Sequence, residues 1–181
     1  MSLHKQPALK EAVLNLPQKE KDKLLVRLIG KDKMLMKQLH FKLLEDQLDL
    51  EQRIDSLKER LRELFAEHRA ALKNIPMYSN YKQLHLLIRQ ANGIINEHEK
   101  VTKDKLSEIE CRMYILNEAF VRYPRLFERS AVHAAIKLQE YVKARIKTAV
   151  NKFNTLHEDL QFDLDEDVQQ LVGFATAHDL L

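Results

Sequence analysis

The side chains most able to do chemistry in this sequence are basic ones between residues 112 and 152. Six of them are candidate contacts for a nucleic acid or another anion: Arg112, Arg122, Arg125, Arg129, Lys143 and Lys147. Three surround a corner predicted at Pro124, and the last two are four residues apart, so they share one face of a helix. Phosphate binding requires clustered cations of this kind. The competing interpretation is an ordinary solvated face, partly neutralised by Glu128 and Glu140.

The eight His residues and the single Cys111 form no pattern that would hold a metal or activate a nucleophile. No Glu precedes a His by three residues, and neither His-x-x-x-His nor His-Glu-x-x-His occurs. The sequence offers Cys111 no recognisable base, and the three glycines are isolated, so there is no glycine-rich phosphate loop. We therefore expect no metal, no cofactor and no enzymatic activity. An enzyme site assembled from scattered residues is kept as an alternative.

A narrow apolar stripe is the other candidate surface. Leu57, Leu61 and Leu64 follow the alternating 3–4 spacing of a coiled-coil seam, with charged residues on either side. In one interpretation a return helix of the same chain covers this stripe. In the other, the stripe is a contact for a partner protein or for a second copy of the chain.

Long helices must position these residues. Residues 31–73 contain no Gly or Pro and repeat apolar side chains every seven positions, which predicts one continuous helix. Residues 34–50 are apolar around much of that helix, so we expect two short N-terminal helices to cover them. Residues 79–122 form either one helix with a stutter or two helices with a break near residues 96–102, and we favour the continuous helix. Residues 125–156 predict a third long helix beyond Pro124.

The composition agrees with an all-α fold, because 181 residues contain only three Gly and four Pro and no Trp. We predict a long antiparallel, coiled-coil-like helical hairpin, formed by residues 31–73 and 79–122. A third long helix and the short N-terminal helices complete a helical bundle. Residues 1–156 would form this single bundle, and residues 157–181 an acidic C-terminal segment with a short helix.

The net charge of +3 conceals an asymmetry. Residues 1–152 carry 30 basic and 20 acidic side chains, a net +10, whereas residues 153–181 carry seven carboxylates and no Lys or Arg. The acidic segment could therefore fold back onto the basic face. No apolar run approaches the roughly 18–20 residues of a membrane span. Together with the single Cys, this favours a cytoplasmic protein without a membrane partner.

One segment resembles the start of a family of uncharacterised bacterial all-helical proteins. The resemblance covers about thirty residues within 16–45, beginning Leu16-Pro17-Gln18-Lys19-Glu20 and including Leu39-His40-Phe41-Lys42-Leu43. It implies a bacterial cytoplasmic origin and carries no activity, cofactor or site residue with it.

The sequence favours a non-catalytic protein–protein interaction or scaffold protein that acts through the surfaces of its helical hairpin. Its partner would be another protein, including a second copy in a homodimer. The first alternative is a nucleic-acid-binding protein that uses the basic face of residues 112–152, with the acidic tail as a regulator. The second alternative is the enzyme with an unrecognised site.

Overall fold

The structure, a computed structural model, describes residues 5–181, and within that range it contains helices and no strand. The predicted all-α class is therefore confirmed. The contacts divide the chain into two compact units, and the boundary in the sequence lies between Glu45 and Asp46. We call residues 5–45 the N-terminal unit and residues 46–181 the C-terminal unit.

The N-terminal unit consists of three helices without a buried core. They are α1 (Pro7–Leu14), α2 (Gln18–Ile29) and α3 (Lys33–Leu44). Pro7 occupies the first turn of α1, and the Asp32 carboxylate caps α3 by accepting hydrogen bonds from the backbone N–H groups of Met34 and Leu35. No side chain in residues 5–45 is buried. The expectation that the short N-terminal helices cover residues 34–50 was wrong for the part that lies in α3.

The predicted continuous helix over residues 31–73 was also wrong, because the chain breaks at Glu45 and Asp46. Asp46 begins α4 (Gln47–His68) with a capping box. Its carboxylate accepts from the N–H groups of Leu48 and Asp49, and the Asp49 carboxylate accepts from the Asp46 N–H. Glu45 is extended, so helical backbone ends on one side and restarts on the other. The two carboxylates accept hydrogen bonds from backbone N–H groups that the first turn of a helix leaves without a partner.

The C-terminal unit contains α4 and five further α-helices. They are α5 (Tyr78–Thr102), α6 (Lys105–Arg122), α7 (His133–Phe153), α8 (Glu158–Asp163) and α9 (Asp165–Ala177), with a 3₁₀ turn at Pro124–Phe127. The third long helix, predicted to begin at residue 125, begins at His133 instead, because the 3₁₀ turn occupies Pro124–Phe127. Helix α6 is central, since it packs against α4, α5, α7, α9 and the 3₁₀ turn.

The favoured continuous helix over residues 79–122 was wrong as well. Helix α5 ends at Thr102, and the following residue, Lys103, has a left-handed backbone with φ of 59°. The Asp104 carboxylate caps α6 by accepting from the Ser107 N–H at 2.9 Å. The Thr102 hydroxyl donates to the His98 carbonyl and accepts from the Asp104 N–H. The break lies one residue beyond the interval that the alternative interpretation allowed. The hairpin and coiled-coil details stay predictions.

The hydrophobic core of the C-terminal unit draws on every long helix. Side chains that are fully buried include Leu61 and Phe65 of α4, Leu84, Ile88 and Ile95 of α5, Met113 of α6, Leu138, Val142 and Ile146 of α7, and Leu171 of α9. Phe174 of α9 stacks on Phe120 of α6, with ring centroids 4.1 Å apart. Residues 157–181, predicted as a separate acidic segment, therefore contribute to the same core as the helices before them.

Candidate functional site

The candidate cation Arg112 lies inside the C-terminal unit and is only 7% exposed. Its Nε donates to Glu108 at 2.9 Å, and its two terminal nitrogens donate to the amide oxygens of Asn92 (2.8 Å) and Asn96 (2.6 Å). Lys152 of α7 donates to the same Glu108 oxygen at 2.5 Å. We call these five residues the Glu108 network. A nucleic acid cannot reach the guanidinium of Arg112 in this arrangement, so its assignment as a contact is corrected to a structural role.

The three arginines around Pro124 do not form one anion-binding set. Arg122 is half-buried, pairs with Glu118, and donates to the Phe65 carbonyl at 3.4 Å. Arg129 is exposed and pairs with Asp179 at 3.3 Å, a contact between the basic body and the acidic tail. The Arg125 side chain is exposed, while its backbone N–H donates to the Asn74 side chain. Of the three, Arg125 alone has no ion-pair partner within residues 5–181.

Lys143 and Lys147 are both exposed on α7. Their role as anion contacts stays a prediction. A different side of α7 brings cations together with two aromatic rings. The Tyr141 ring lies 4.7 Å from the His85 ring of α5, and the Arg145 guanidinium lies 5.3 Å from the Tyr141 ring centre. Arg89 follows His85 by one helical turn, and Lys137 precedes Tyr141 by one turn. We call these five residues the α5–α7 face.

The charges of the α5–α7 face act on its two rings. Burial lowers the pKa of His85, and the neighbouring charges of Arg89 and Lys137 lower it further. Burial raises the pKa of Tyr141, against the opposing effect of Arg145 and Arg89. His85 is therefore neutral at physiological pH, and the positive charge of this face belongs to its Arg and Lys side chains.

The predicted partner stripe is part of the core. Leu57 and Leu64 are each 5% exposed and Leu61 is 0% exposed, because α5 and α6 pack against α4. The interpretation in which the same chain covers the stripe is the one observed. The three leucines are not available to a partner, and that assignment is corrected.

A small cleft of about 130 Å³ bears on the alternative of an enzyme. It is lined by Lys58, Arg62, Glu110, Cys111, Tyr114 and Asp167. Lys58 pairs with Glu110 at 2.7 Å. Burial raises the pKa of Cys111 to about 12, with a further contribution from Glu110, so this side chain is a thiol and not a nucleophilic thiolate at neutral pH. The cleft is also smaller than the roughly 300 Å³ at which ligand pockets begin.

The histidines take part in local contacts. His68 contacts the Leu64 carbonyl at 2.9 Å, and His98 contacts the Ser107 hydroxyl at 3.0 Å across the break between α5 and α6. Burial lowers the pKa of His98. Within residues 5–181, no three His, Cys, Asp or Glu side chains are grouped closely enough to hold a metal ion.

The N-terminal unit exposes large apolar side chains at a higher density than the C-terminal unit does. Eight large apolar side chains are exposed there: Leu9, Leu14, Leu25, Val26, Leu28, Met36, Leu43 and Leu44. Val26 and Leu44 are 70% and 74% exposed. Exposed apolar side chains concentrated on a few short helices are typical of a surface that binds another protein.

The fold defines an all-α protein with bundle-like packing of its helices. Comparison with models of known families, with curated proteins and with solved structures gives no match. The resemblance of residues 16–45 to bacterial all-helical proteins therefore stays a prediction. In the part of the chain from Lys5 onward, no helix combines the length and apolar character needed to cross a membrane.

Sequence reasoning missed Arg89, Asn92, Asn96 and Glu108. Each belongs to a cluster joined across helices, such as Arg112 and Asn92, which are twenty residues apart. Local spacing contains no signal for such pairs. One signal was present: Glu108 and Arg112 are four residues apart within the predicted helical stretch 79–122, which is the spacing of a charge pair.

Proposed function

We propose that this is a non-catalytic interaction protein that binds a helical partner through the apolar side chains of the N-terminal unit. The observation that supports the proposal is that α1, α2 and α3 expose eight large apolar residues and bury none. A unit of about forty residues without a core needs a partner or a staple for stability. A partner helix laid against these faces would supply the missing apolar contacts.

The first partner to test is a second copy of the chain. The N-terminal unit carries ten basic and five acidic side chains, and residues 157–181 carry seven carboxylates without a basic residue. The opposite charges would orient one copy against another. We place this interaction in the cytoplasm, which the single unpaired thiol of Cys111 supports.

The test uses a matched pair of valines in the full chain. Val26→Glu puts a charge on α2, where the native side chain is 70% exposed, and Val121→Glu does the same on α6, where it is 66% exposed. Both positions are exposed, so each change should alter the free energy of unfolding by less than about 0.5 kcal/mol. Sedimentation velocity at micromolar concentration should show a dimer for the wild type and for Val121→Glu. Val26→Glu should be monomeric.

A monomeric wild-type protein would contradict self-association. The wider proposal is then decided by cross-linking in a native lysate with the same two variants. The proposal fails if Val26→Glu is cross-linked to the same partners as Val121→Glu.

A further inference from the structure

The α5–α7 face contains a buried donor that has no acceptor. The Nε of Arg145 is inaccessible to solvent and has no hydrogen-bond partner among the described residues. A buried donor left unpaired is unfavourable for the fold. The Tyr141 ring lies against the guanidinium, whose central carbon is 5.3 Å from the ring centroid, and its π face attracts the positive charge. Because Nε is inaccessible, a ligand can reach this guanidinium only through its terminal nitrogens.

The cations around this donor also lack carboxylate partners. Arg89, Lys137 and Arg145 form no ion pair within residues 5–181, whereas other cations of the C-terminal unit do, among them Lys58, Arg112 and Lys152. Glu108 is already shared by Arg112 and Lys152. Three uncompensated cations therefore converge on one pair of rings, His85 and Tyr141.

We propose that the α5–α7 face binds a phosphate group, with the terminal nitrogens of the Arg145 guanidinium as its central contact. Arginine presents a planar fork of donors that matches two phosphate oxygens, and lysine adds a point charge. Arg89 and Lys137 stand one helical turn from the ring pair on either helix, so they flank such a group. The Tyr141 hydroxyl supplies a neutral donor. The site concerns helices outside the N-terminal unit, so it does not depend on the proposed function.

The phosphate could come from a small phosphate compound or from a nucleic-acid backbone, and the same chemistry would recognise both. The experiment therefore uses three probes with the full chain: inorganic phosphate, a mononucleotide and a short single-stranded oligonucleotide. Binding is measured by isothermal titration calorimetry at low salt, with chloride used to equalise ionic strength. Tighter binding of the oligonucleotide per phosphate would identify a nucleic-acid backbone as the source, and equal binding a small phosphate compound.

Two variants and a matched control test the residues. Arg145→Gln and Lys137→Gln should each weaken phosphate binding by about tenfold or more, which corresponds to about 1.4 kcal/mol. Arg60→Gln removes an exposed charge from α4 and should leave binding unchanged. The Lys137 variant keeps the test valid if the half-buried Arg145 variant folds poorly.

The proposal is overturned if the wild type binds none of the three probes. It is equally overturned if Arg145→Gln and Lys137→Gln bind phosphate as tightly as Arg60→Gln does, because general charge attraction then accounts for the binding.

Discussion

At the scale of single residues, the Glu108 network is the most constrained arrangement in the C-terminal unit. One carboxylate that is 2% exposed accepts hydrogen bonds from Arg112 on its own helix and from Lys152 on α7. Asn92 and Asn96 of α5 accept the remaining Arg112 donors. Charges buried in this way are stable only when each one is paired. The network therefore fixes α5, α6 and α7 in one register.

Replacing Glu108 with Gln should be strongly destabilising. The amide keeps the volume but loses the charge, so the buried Arg112 is left uncompensated, and removing one partner of a buried pair costs about 3–5 kcal/mol. Urea denaturation monitored by circular dichroism measures this loss in the free energy of unfolding. Glu59→Gln is the control, because Glu59 pairs with Arg62 at 3.1 Å on the exposed side of α4 and should cost less than about 1 kcal/mol. Equal losses in the two variants would show that burial adds nothing to the pair.

At the scale of elements, the sequence predicts that residues are helical better than it predicts where one helix ends and the next begins. Apolar periodicity identified core positions in the C-terminal unit, such as Leu57, Leu61 and Leu64 of α4, but it failed for residues 34–44, where no side chain is buried. It could not locate the break at Asp46, because neither Gly nor Pro marks it. The available signal was two aspartates three residues apart, Asp46 and Asp49, which form the capping box. The apolar repeat continues across that break, so periodicity alone reads the two helices as one.

Lys103 offers a direct test of the break between α5 and α6. A left-handed backbone costs a residue other than Gly about 1–2 kcal/mol. Lys103→Gly removes that cost but gains chain entropy in the unfolded state, so the net stabilisation should be about 0.5–1 kcal/mol. Lys82→Gly, within α5, is the control and should destabilise by about 1 kcal/mol. Chemical denaturation compares the two, and a loss of stability in both would argue for one continuous helix.

The candidate site was less predictable than the core. Its charge alone groups Arg112 with the surface cations, because two of its three partners, Asn92 and Asn96, lie on another helix, α5. The α5–α7 face depends on His85 and Tyr141, which are 56 residues apart in the sequence. A contact of this range follows from how the helices pack, and spacing within one helix contains no information about it.

At the scale of the whole molecule, the two units differ in what stabilises them. The core cluster lies entirely between Leu57 and Leu180, and residues 5–45 contribute no buried side chain. The long stretch from residue 31 to 73, which looks like the organising element of the sequence, is divided between the units. Helix α6 organises the C-terminal unit instead, since helices from before and after it in the chain pack around it.

Deletion of residues 1–45 should therefore leave the C-terminal unit folded. The midpoint of thermal unfolding should change by less than about 4 °C, a shift that corresponds to roughly 1 kcal/mol or less in a domain of this size. Deletion of residues 164–181 is the contrasting variant, because it removes Leu171 and Ala175, both fully buried, and should lower the midpoint much further. Thermal scans monitored by circular dichroism give the unfolding midpoints of the two deletion variants. A large drop for the first deletion would mean that the C-terminal unit depends on the N-terminal one.

The shared carboxylate of Glu108 also has a consequence for how this protein can change over generations. Arg112 and Lys152 share that one carboxylate, and they are forty residues apart in the chain. The Arg112 side chain is 8% exposed, so a neutral side chain at position 108 is tolerable only if Arg112 is also replaced by an apolar residue of similar size. The Lys152 side chain is 39% exposed, so water can solvate its charge. Positions 108 and 112 should therefore vary together in descendants of this chain, while position 152 varies more freely.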